Sequence, residues 1–349
     1  MKNIAIVGRM AKGAELLDGQ TVKTKVLCEE LRRCYPDSKQ IWVDTYQYRK
    51  RPLPILFNTF LAFATCDHIF VLLSRNGRKF FSPLLTGLNR IFRRRLYHDV
   101  VGGALPREAA KSPSLCRQLQ QFEVNWVEFE QMKKDLEALG ISNAEVLPNF
   151  KRLKILSPSE VSGGHQAPFV FSMFSRVLKE KGMTAAAEAV AEVNRRLGTT
   201  AALLRIYGPV EEGYRAEFEQ VCQTYSDCVS YLGCISAEKS VETLRDSFML
   251  LFPSVYPGEG MPGTIIDAFS AGLPVIATDW HFNAELVRNG ETGYCYNWEQ
   301  PELLAQQILY AISHPEEVDA MRPKCLAEAS KYTPEAVMGQ ICRRMEGRP

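Results

Sequence analysis

The chain has 349 residues, of which 46% are apolar and 23% charged, a composition typical of a globular protein long enough for two domains. Its apolar runs are shorter than the roughly 18 residues that cross a bilayer, so no transmembrane helix is expected. The net charge of +2 hides an asymmetry, because residues 1–164 carry 26 basic and 16 acidic residues and the rest carry 16 and 24. The N-terminal half is therefore expected to face an anionic partner.

Strand and helix patterns alternate through the N-terminal half. The first apolar strand ends in Gly8, and a loop with Gly13 and Gly19 leads to an amphipathic helix. Strands are predicted at 2–8, 41–46, 68–73, 96–101, 125–129 and 144–147. Helices are predicted at 20–34, 55–64, 80–95, 112–122 and 130–139. This alternation is typical of a parallel sheet with helices on both faces.

A segment rich in Pro, Ser and Gly, 158–166, is predicted to be a linker, and the alternation restarts after it. Strands are predicted at 169–173, 201–207, 229–232, 248–252 and 274–278. Helices are predicted at 184–197, 214–224, 236–245, 301–314 and 333–347, with another beginning near 263. We therefore predict an α/β protein with two Rossmann-like, doubly wound domains, 1–160 and 161–330, facing a central cleft, and a C-terminal helix in 331–349 that packs back on the first domain.

The segment 258–279 combines groups suited to a ligand that carries both phosphates and hydroxyls. Glu259 lies in a Gly/Pro-rich turn, and Asp267 follows within the helix predicted to begin near Gly263 and Thr264. The free N–H groups and the positive dipole end of that helix point at the turn and form an anion site. A nucleotide-sugar is such a ligand. The alternative for Asp267 is a charge that only interacts with the helix dipole.

Arg176 and Lys181 lie five residues apart at the start of a predicted helix. The planar donor fork of Arg and the point charge of Lys both suit a diphosphate. A solvated basic turn is the alternative interpretation of this pair.

Several segments, taken in chain order, resemble the retaining GT-B glycosyltransferases, especially family 4. Glu259 to Asp267 is similar to the E-x7-E motif, with Asp in place of the second Glu, and 171–182 is similar to G-R-L-x-x-x-K-G, with Ser175 in place of Gly. Further similar segments are 146–149 (V-x-P-N), 207–208 (Y-G), 231–233 (F-L-G) and 284–293 (E-x-V-x-x-G-x-x-G). The stretches 18–24 and 97–103 resemble a subgroup that makes bacterial capsular or cell-surface polysaccharides.

The resemblance implies roles for individual residues. Glu259 would bind the hydroxyls of the donor sugar, and Asp267 would bind the ribose hydroxyls. Arg176 and Lys181 would stabilise the leaving nucleoside diphosphate. The other implied donor-binding residues are Gly260, Met261, Pro262, Gly263, Thr264, Ile265, Tyr207 and Gly208, and the N–H groups of Thr264 and Ile265 would bind the diphosphate.

Two N-terminal features are candidates for further contacts with the substrates. His98, at the end of a predicted strand, would contact the donor sugar and complete the catalytic set, although a lone His is often structural. Asp99 should point away from it, because strand residues alternate between the two faces. Gly8, Gly13 and Gly19 form the loop that an acceptor or a donor phosphate would approach.

The resemblance predicts a hexosyl-type glycosyltransferase that moves a sugar from a nucleotide-sugar to a glycan or lipid-linked acceptor, with retention of configuration, in cell-surface polysaccharide synthesis. A UDP-sugar is the expected donor, and no cofactor or metal is expected. The alternatives are a non-catalytic nucleotide-sugar-binding subunit and a GT-B-type sugar-nucleotide epimerase, which would need further acids and a His in the cleft.

Basic clusters next to apolar helices suggest a surface for anionic lipid. The clustered residues are Arg49, Lys50, Arg51, Arg90, Arg93, Arg94 and Arg95. The hypothesis is a cytoplasmic protein that attaches peripherally to the inner face of the cytoplasmic membrane through its N-terminal domain. A solvated charge run beside a core helix is the alternative. Nucleic acid is not expected, because no recognised binding module is present.

Overall fold

The computed structural model describes residues 2–14 and 18–347, and the chain divides into two compact units. Unit 1 comprises the residues up to Lys151 and those from Pro334 onward, and unit 2 comprises Arg152–Thr333. Each unit contains a six-stranded parallel sheet with helices around it. The predicted α/β class with two doubly wound domains is confirmed.

Unit 1 is built on a sheet with the strand order β2-β1-β3-β4-β5-β6. The strands are β1 (Ile4–Gly8), β2 (Gln40–Asp44), β3 (His68–Leu72), β4 (Arg95–Asp99), β5 (Val124–Val127) and β6 (Ala144–Val146). The helices between them are α1 (Gly19–Cys34), α2 (Pro52–Thr65), α3 (Arg75–Phe92), α4 (Leu105–Ala110), α5 (Pro113–Leu119) and α6 (Glu130–Ala138). Central strands such as β1 and β3 are buried along their whole length, because helices cover both faces of the sheet.

Unit 2 has the strand order β12-β11-β10-β7-β8-β9. The strands are β7 (Phe169–Phe174), β8 (Ala202–Tyr207), β9 (Val229–Tyr231), β10 (Met249–Phe252), β11 (Val275–Thr278) and β12 (Gly293–Tyr296). The helices are α7 (Met183–Leu197), α8 (Arg215–Thr224), α9 (Ser240–Leu244), α10 (Gly263–Ser270), α11 (Asn283–Leu286), α12 (Leu303–Ser313) and α13 (Pro315–Ala329). The chain then returns to unit 1 as α14 (Pro334–Met345).

Helix α14 completes the core of unit 1 although it follows unit 2 in sequence. Val337, Met338, Ile341 and Met345 join a buried cluster with residues of β1, β3, β4 and β5. Polar contacts hold it as well, because Arg95 donates hydrogen bonds to the carbonyl oxygens of Arg344 and Met345. Within the described part of the chain, no helix is both long and apolar enough to cross a bilayer.

Candidate functional site

Glu259 lies in the loop between β10 and α10 and is bound by two side chains. Its Oε2 accepts a hydrogen bond from Lys181 Nζ at 2.5 Å and another from Ser254 Oγ at 2.6 Å. All three residues are buried. Two residues singled out in the sequence therefore form a direct buried ion pair, and Ser254 is a third member that the sequence did not indicate.

The strand order explains why these residues meet. β7 and β10 are neighbours in the parallel sheet, so the segments that follow them leave the same edge. Lys181 comes after β7 in a short turn that ends at Gly182, which has a φ of 77°. A Cβ on Gly182 would lie 2.5 Å from the carbonyl oxygen of Pro253, directly after β10. Glycine at this position therefore lets the two segments approach closely.

Arg176 and Lys181 both face the ring of Tyr256. The guanidinium carbon of Arg176 lies 5.6 Å from the ring centroid, and Lys181 Nζ lies 5.4 Å from it. These are cation–π distances. The basic pair is therefore part of an ordered cluster around Tyr256, which disfavours the alternative of an unstructured, solvated basic turn.

Tyr207 and Gly208 support the turn that carries Arg176. Gly208 has a φ of 135°, and a Cβ there would lie 1.8 Å from the carbonyl oxygen of Ser175. The N–H of Ser175 in turn donates to the carbonyl oxygen of Tyr207. These two residues thus fix the backbone next to Arg176, and any direct contact with donor stays a prediction.

Helix α10 begins at Gly263 with donor groups available. Its N-cap, Pro262, has no side chain that could accept a hydrogen bond from the first turn. Thr264 Oγ1 is buried and has no hydrogen-bond partner among the described residues. The N–H of Ile265 donates to the carbonyl oxygen of Pro262, and its contact with a diphosphate stays a prediction. The available N–H groups of the first turn belong to residues earlier in the helix.

Asp267 lies further along α10 and is fully buried. Its Oδ1 accepts a hydrogen bond of 2.7 Å from Ser240 Oγ at the start of α9. The carboxylate lies outside the first turn, so a simple interaction with the helix dipole does not account for it. Ser240 was not indicated by the sequence, and the role of Asp267 toward ribose stays a prediction.

His98 is buried on β4 with one ring nitrogen engaged. Its Nδ1 lies 2.9 Å from Asn125 Oδ1, whose own Nδ2 donates to Leu119 O and Asn143 Oδ1. Because the amide oxygen can only accept, the proton is assigned to Nδ1. Nε2 is then a buried acceptor without a partner among the described residues. Burial, together with the positive charges of Arg78 and Lys23, lowers the pKa of His98 to about 3.

Asp99 points away from His98, as strand alternation predicts. It lies 2.7 Å from Lys23 Nζ, which also donates to Glu128 Oε1 at 2.9 Å. Burial opposes protonation of Lys23, but the two carboxylates outweigh it and raise its pKa. This buried triad joins α1 to the carboxyl ends of β4 and β5.

The glycine loop after β1 is occupied by a carboxylate of the chain itself. The N–H groups of Met10, Ala11 and Lys12 all donate to Asp44 at the end of β2. Burial opposes ionisation of Asp44, but these hydrogen bonds prevail and hold its pKa below the usual value. These three N–H groups therefore already have an anionic partner, and the approach of a donor phosphate to the loop of Gly8, Gly13 and Gly19 stays a prediction. An approach of the acceptor to this loop stays a prediction.

An aromatic cluster lies beside Tyr256, and no pattern in the sequence indicates it. Trp280 Nε1 donates to the carbonyl oxygen of Tyr256. The centroid of the Trp280 ring lies 4.3 Å from that of His281 and 4.7 Å from that of Trp298. The tryptophan spacing along the chain carries no periodic signal. Trp280 approaches Trp298 because β11 pairs with β12, and it approaches Tyr256 because β10 pairs with β11. Among the described residues, no group of three or more His, Cys, Asp or Glu could hold a metal.

Comparison with known proteins finds a glycosyltransferase match over part of the chain. Residues 168–314 match the family model described as glycosyl transferases group 1. They include Arg176, Lys181, Glu259 and Asp267. AmsK of Erwinia amylovora, an amylovoran biosynthesis glycosyltransferase, is 25% identical in an alignment of 193 residues that covers 52% of this chain and 46% of AmsK. The matched region is thus less than half the length of that relative.

Two solved structures have the same fold over nearly the whole chain. HepE of Anabaena, solved with UDP-glucose, has a TM-score of 0.77 at 16% identity. The alignment covers 99% of this chain and 100% of the HepE chain. Sucrose-phosphate synthase of Thermosynechococcus elongatus has a TM-score of 0.74 at 16% identity, with coverage of 99% and 100%. At such identities the likeness establishes the fold, which is GT-B, with a parallel sheet in each of two units.

Proposed function

We propose that this protein is a retaining glycosyltransferase that transfers a hexosyl group from a UDP-sugar to a glycan or lipid-linked acceptor in cell-surface polysaccharide synthesis. The observation that carries the proposal is the buried Lys181–Glu259 pair beside Arg176 and the open N-terminus of α10. All of these lie within the segment that matches the group 1 glycosyltransferases. The UDP-glucose complex of HepE supports the choice of donor, and the role of AmsK in amylovoran biosynthesis supports a biosynthetic glycosyltransferase.

The positive charge in unit 2 suits a departing diphosphate. Arg176, Lys181 and the first N–H groups of α10 are fixed donors that would stabilise negative charge as the bond to the sugar breaks. Because these groups supply the positive charge, we propose that no metal is required. The chemistry would be a same-face substitution through an oxocarbenium-like state, in which the protein contributes positioning and charge rather than a nucleophile.

Glu259 is proposed to orient the donor sugar. Lys181 and Ser254 both bind its Oε2, so the carboxylate is held in one orientation with its second oxygen available for sugar hydroxyls. Asp267, fixed by Ser240, is proposed to bind the ribose hydroxyls. His98 would accept a hydrogen bond from a donor hydroxyl through Nε2, because its low pKa leaves it neutral near pH 7.

The two units would divide the work. Unit 2 holds the proposed nucleotide-sugar site, and unit 1 is proposed to bind the acceptor. The location we propose is the cytoplasm, with peripheral attachment to the inner face of the cytoplasmic membrane, where a lipid-linked acceptor would be presented.

Release of UDP from a panel of UDP-sugars tests the proposal. We expect Glu259→Gln and Arg176→Ala each to lower kcat/KM by about tenfold or more, which corresponds to roughly 1.4 kcal/mol of transition-state stabilisation. The exposed residues Glu299 and Arg205 provide matched controls, and Glu299→Gln and Arg205→Ala should retain full activity. Full activity in both site variants would overturn the site assignment, and UDP binding without turnover would favour a non-catalytic subunit.

A further inference from the structure

Helices α2 and α3 carry a concentration of exposed apolar side chains. Of the eleven large hydrophobic residues that are exposed in the described chain, six lie on these two helices. They are Leu53 (77% exposed), Phe57 (66%), Phe60 (52%), Leu61 (36%), Phe80 (45%) and Ile91 (75%). Contiguous exposure of this kind marks a surface that contacts another body.

The six residues belong to one surface, named here the α2–α3 face. The rings of Phe60 on α2 and Phe92 on α3 are 5.4 Å apart, which links the two helices. Leu53, Phe57 and Phe60 follow one another at spacings of four and three, so they share a side of α2. The inner sides of the helices are already filled, because Phe63 and Phe81 belong to the buried core of unit 1.

The charge around the α2–α3 face has one sign. Residues 45–98 contain ten Lys and Arg and a single acid, Asp67, which pairs with Arg94 at 3.4 Å. The basic residues that remain exposed are Arg49, Lys50, Arg51, Arg75, Lys79, Arg90 and Arg93, and of these Arg75 pairs with Glu108 at 2.9 Å. A face that combines apolar side chains with only basic charge is complementary to an anionic bilayer, into which the apolar groups insert while the basic groups meet the headgroups.

Two of the arginines that the sequence places in this basic cluster, Arg94 and Arg95, are engaged within unit 1. Arg94 Nε donates to the carbonyl oxygen of Phe63, and Arg95 binds Glu123 and the end of α14. These two therefore stabilise unit 1 internally. The sequence predicts one basic cluster that also contains Arg93, but Arg93 is exposed just after α3 and makes none of these internal contacts.

We infer that the α2–α3 face docks on the headgroup layer of a bilayer that contains anionic phospholipid. A second copy of the chain fits this face poorly, because it would bring basic side chains against basic side chains. Docking would place unit 1 where a lipid-linked acceptor is presented, so this part of the inference rests on the proposed function. The binding of the lipid surface itself does not.

Flotation with vesicles of phosphatidylcholine, with and without phosphatidylglycerol, tests the inference. We expect binding only with phosphatidylglycerol, and weaker binding as salt rises. Phe57→Ser with Ile91→Ser should weaken it about tenfold or more, and Arg90→Ala with Arg93→Ala by a similar factor, since each basic residue near the surface contributes roughly fivefold. As controls, Leu197→Ser on unit 2 and Lys25→Ala with Lys134→Ala, all exposed elsewhere, should bind as the unchanged protein does.

Three results would overturn the inference. The first is the absence of binding to phosphatidylglycerol vesicles, and the second is binding that the α2–α3 variants leave unchanged. The third is self-association that those variants abolish in size-exclusion chromatography, which would identify a second copy as the occupant. UDP release without vesicles separates this test from the proposed function, because we expect the α2–α3 variants to keep that activity.

Discussion

Replacing His98 by Asn should remove part of the acid sensitivity of unit 1. In the folded chain the pKa of His98 is lowered to about 3, first by burial and then by the positive charges of Arg78 and Lys23. In the unfolded chain the pKa returns to about 6.5. A depressed folded pKa means that the stabilisation is fully present above pH 6.5 and is lost as the pH falls toward 3, because only the unfolded chain takes up the proton.

The size of the effect follows from this linkage. Relative to pH 7, the proton taken up by unfolded His98 lowers the free energy of unfolding by about 1.3 kcal/mol at pH 5.5 and by about 2.6 kcal/mol at pH 4.5. His68, whose pKa burial lowers to about 4, adds a similar dependence, but that contribution is common to both proteins and cancels in the difference. The variant will be less stable at neutral pH, yet its stability should fall less steeply.

The assay must read unit 1 separately, because two units need not unfold together. Two of the four tryptophans, Trp280 and Trp298, belong to unit 2, and replacing both by Phe leaves fluorescence that reports on unit 1 alone. Urea unfolding is then measured between pH 4.5 and pH 7.5. Phe122→Leu, which alters the ring that contacts His98 at 5.1 Å, is the control and should lower stability equally at every pH. Parallel curves for the His98→Asn variant and its parent would refute the reasoning.

Three further substitutions test other parts of the account. Ser254→Ala removes a buried hydrogen bond to the proposed catalytic carboxylate and should lower kcat/KM for UDP release by about tenfold or more; unchanged kinetics would contradict this. Gly208→Ala introduces a Cβ that collides with a backbone oxygen and should raise the KM for the donor. The control Gly213→Ala, with open space around its Cβ, should leave that KM unchanged, and equal effects of the two would argue against a role of Gly208 in positioning the turn of Arg176. Lys23→Met leaves two buried carboxylates without their cation and should lower the free energy of unfolding by about 3–5 kcal/mol. The control Lys25→Met, at an exposed position, should lower it by about 0.5 kcal/mol or less. A similarly small loss in the Lys23 variant would show that the triad contributes little to stability.

The fold was accessible from sequence because buried parallel strands are continuous apolar runs separated by helical periodicity. The helices and strands that were not predicted are those whose apolar pattern is short or interrupted. Helix α13 contains Pro323 and begins at Pro315, and these prolines obscured the apolar positions that pack toward the core. The four-residue strand β12 is too short to show a period. Helix α3 begins at Arg75, earlier than the predicted start at 80.

The candidate site was predictable as a set of residues but not as a set of contacts. Glu259 and Lys181 are 78 positions apart, and their pairing depends on β7 and β10 being neighbours, which the order of strands along the chain does not reveal. Ser254 carries no distinguishing signal in a sequence, because serine is common after strands. The binding of Asp44 to the glycine loop is likewise a contact between two strand ends. It gives N–H groups of that loop an anionic partner that the sequence does not reveal.

The central claim, that unit 2 binds a nucleoside diphosphate through Arg176, Lys181 and the start of α10, is tested most directly by isothermal titration with UDP. GDP and ADP serve as comparisons for the base. The account predicts saturable binding of UDP that weakens about tenfold or more in Arg176→Ala and in Lys181→Met, and that is unchanged in Arg205→Ala. The claim would be contradicted if none of the three nucleotides bound, or if UDP bound equally well to the unchanged protein and to all the variants.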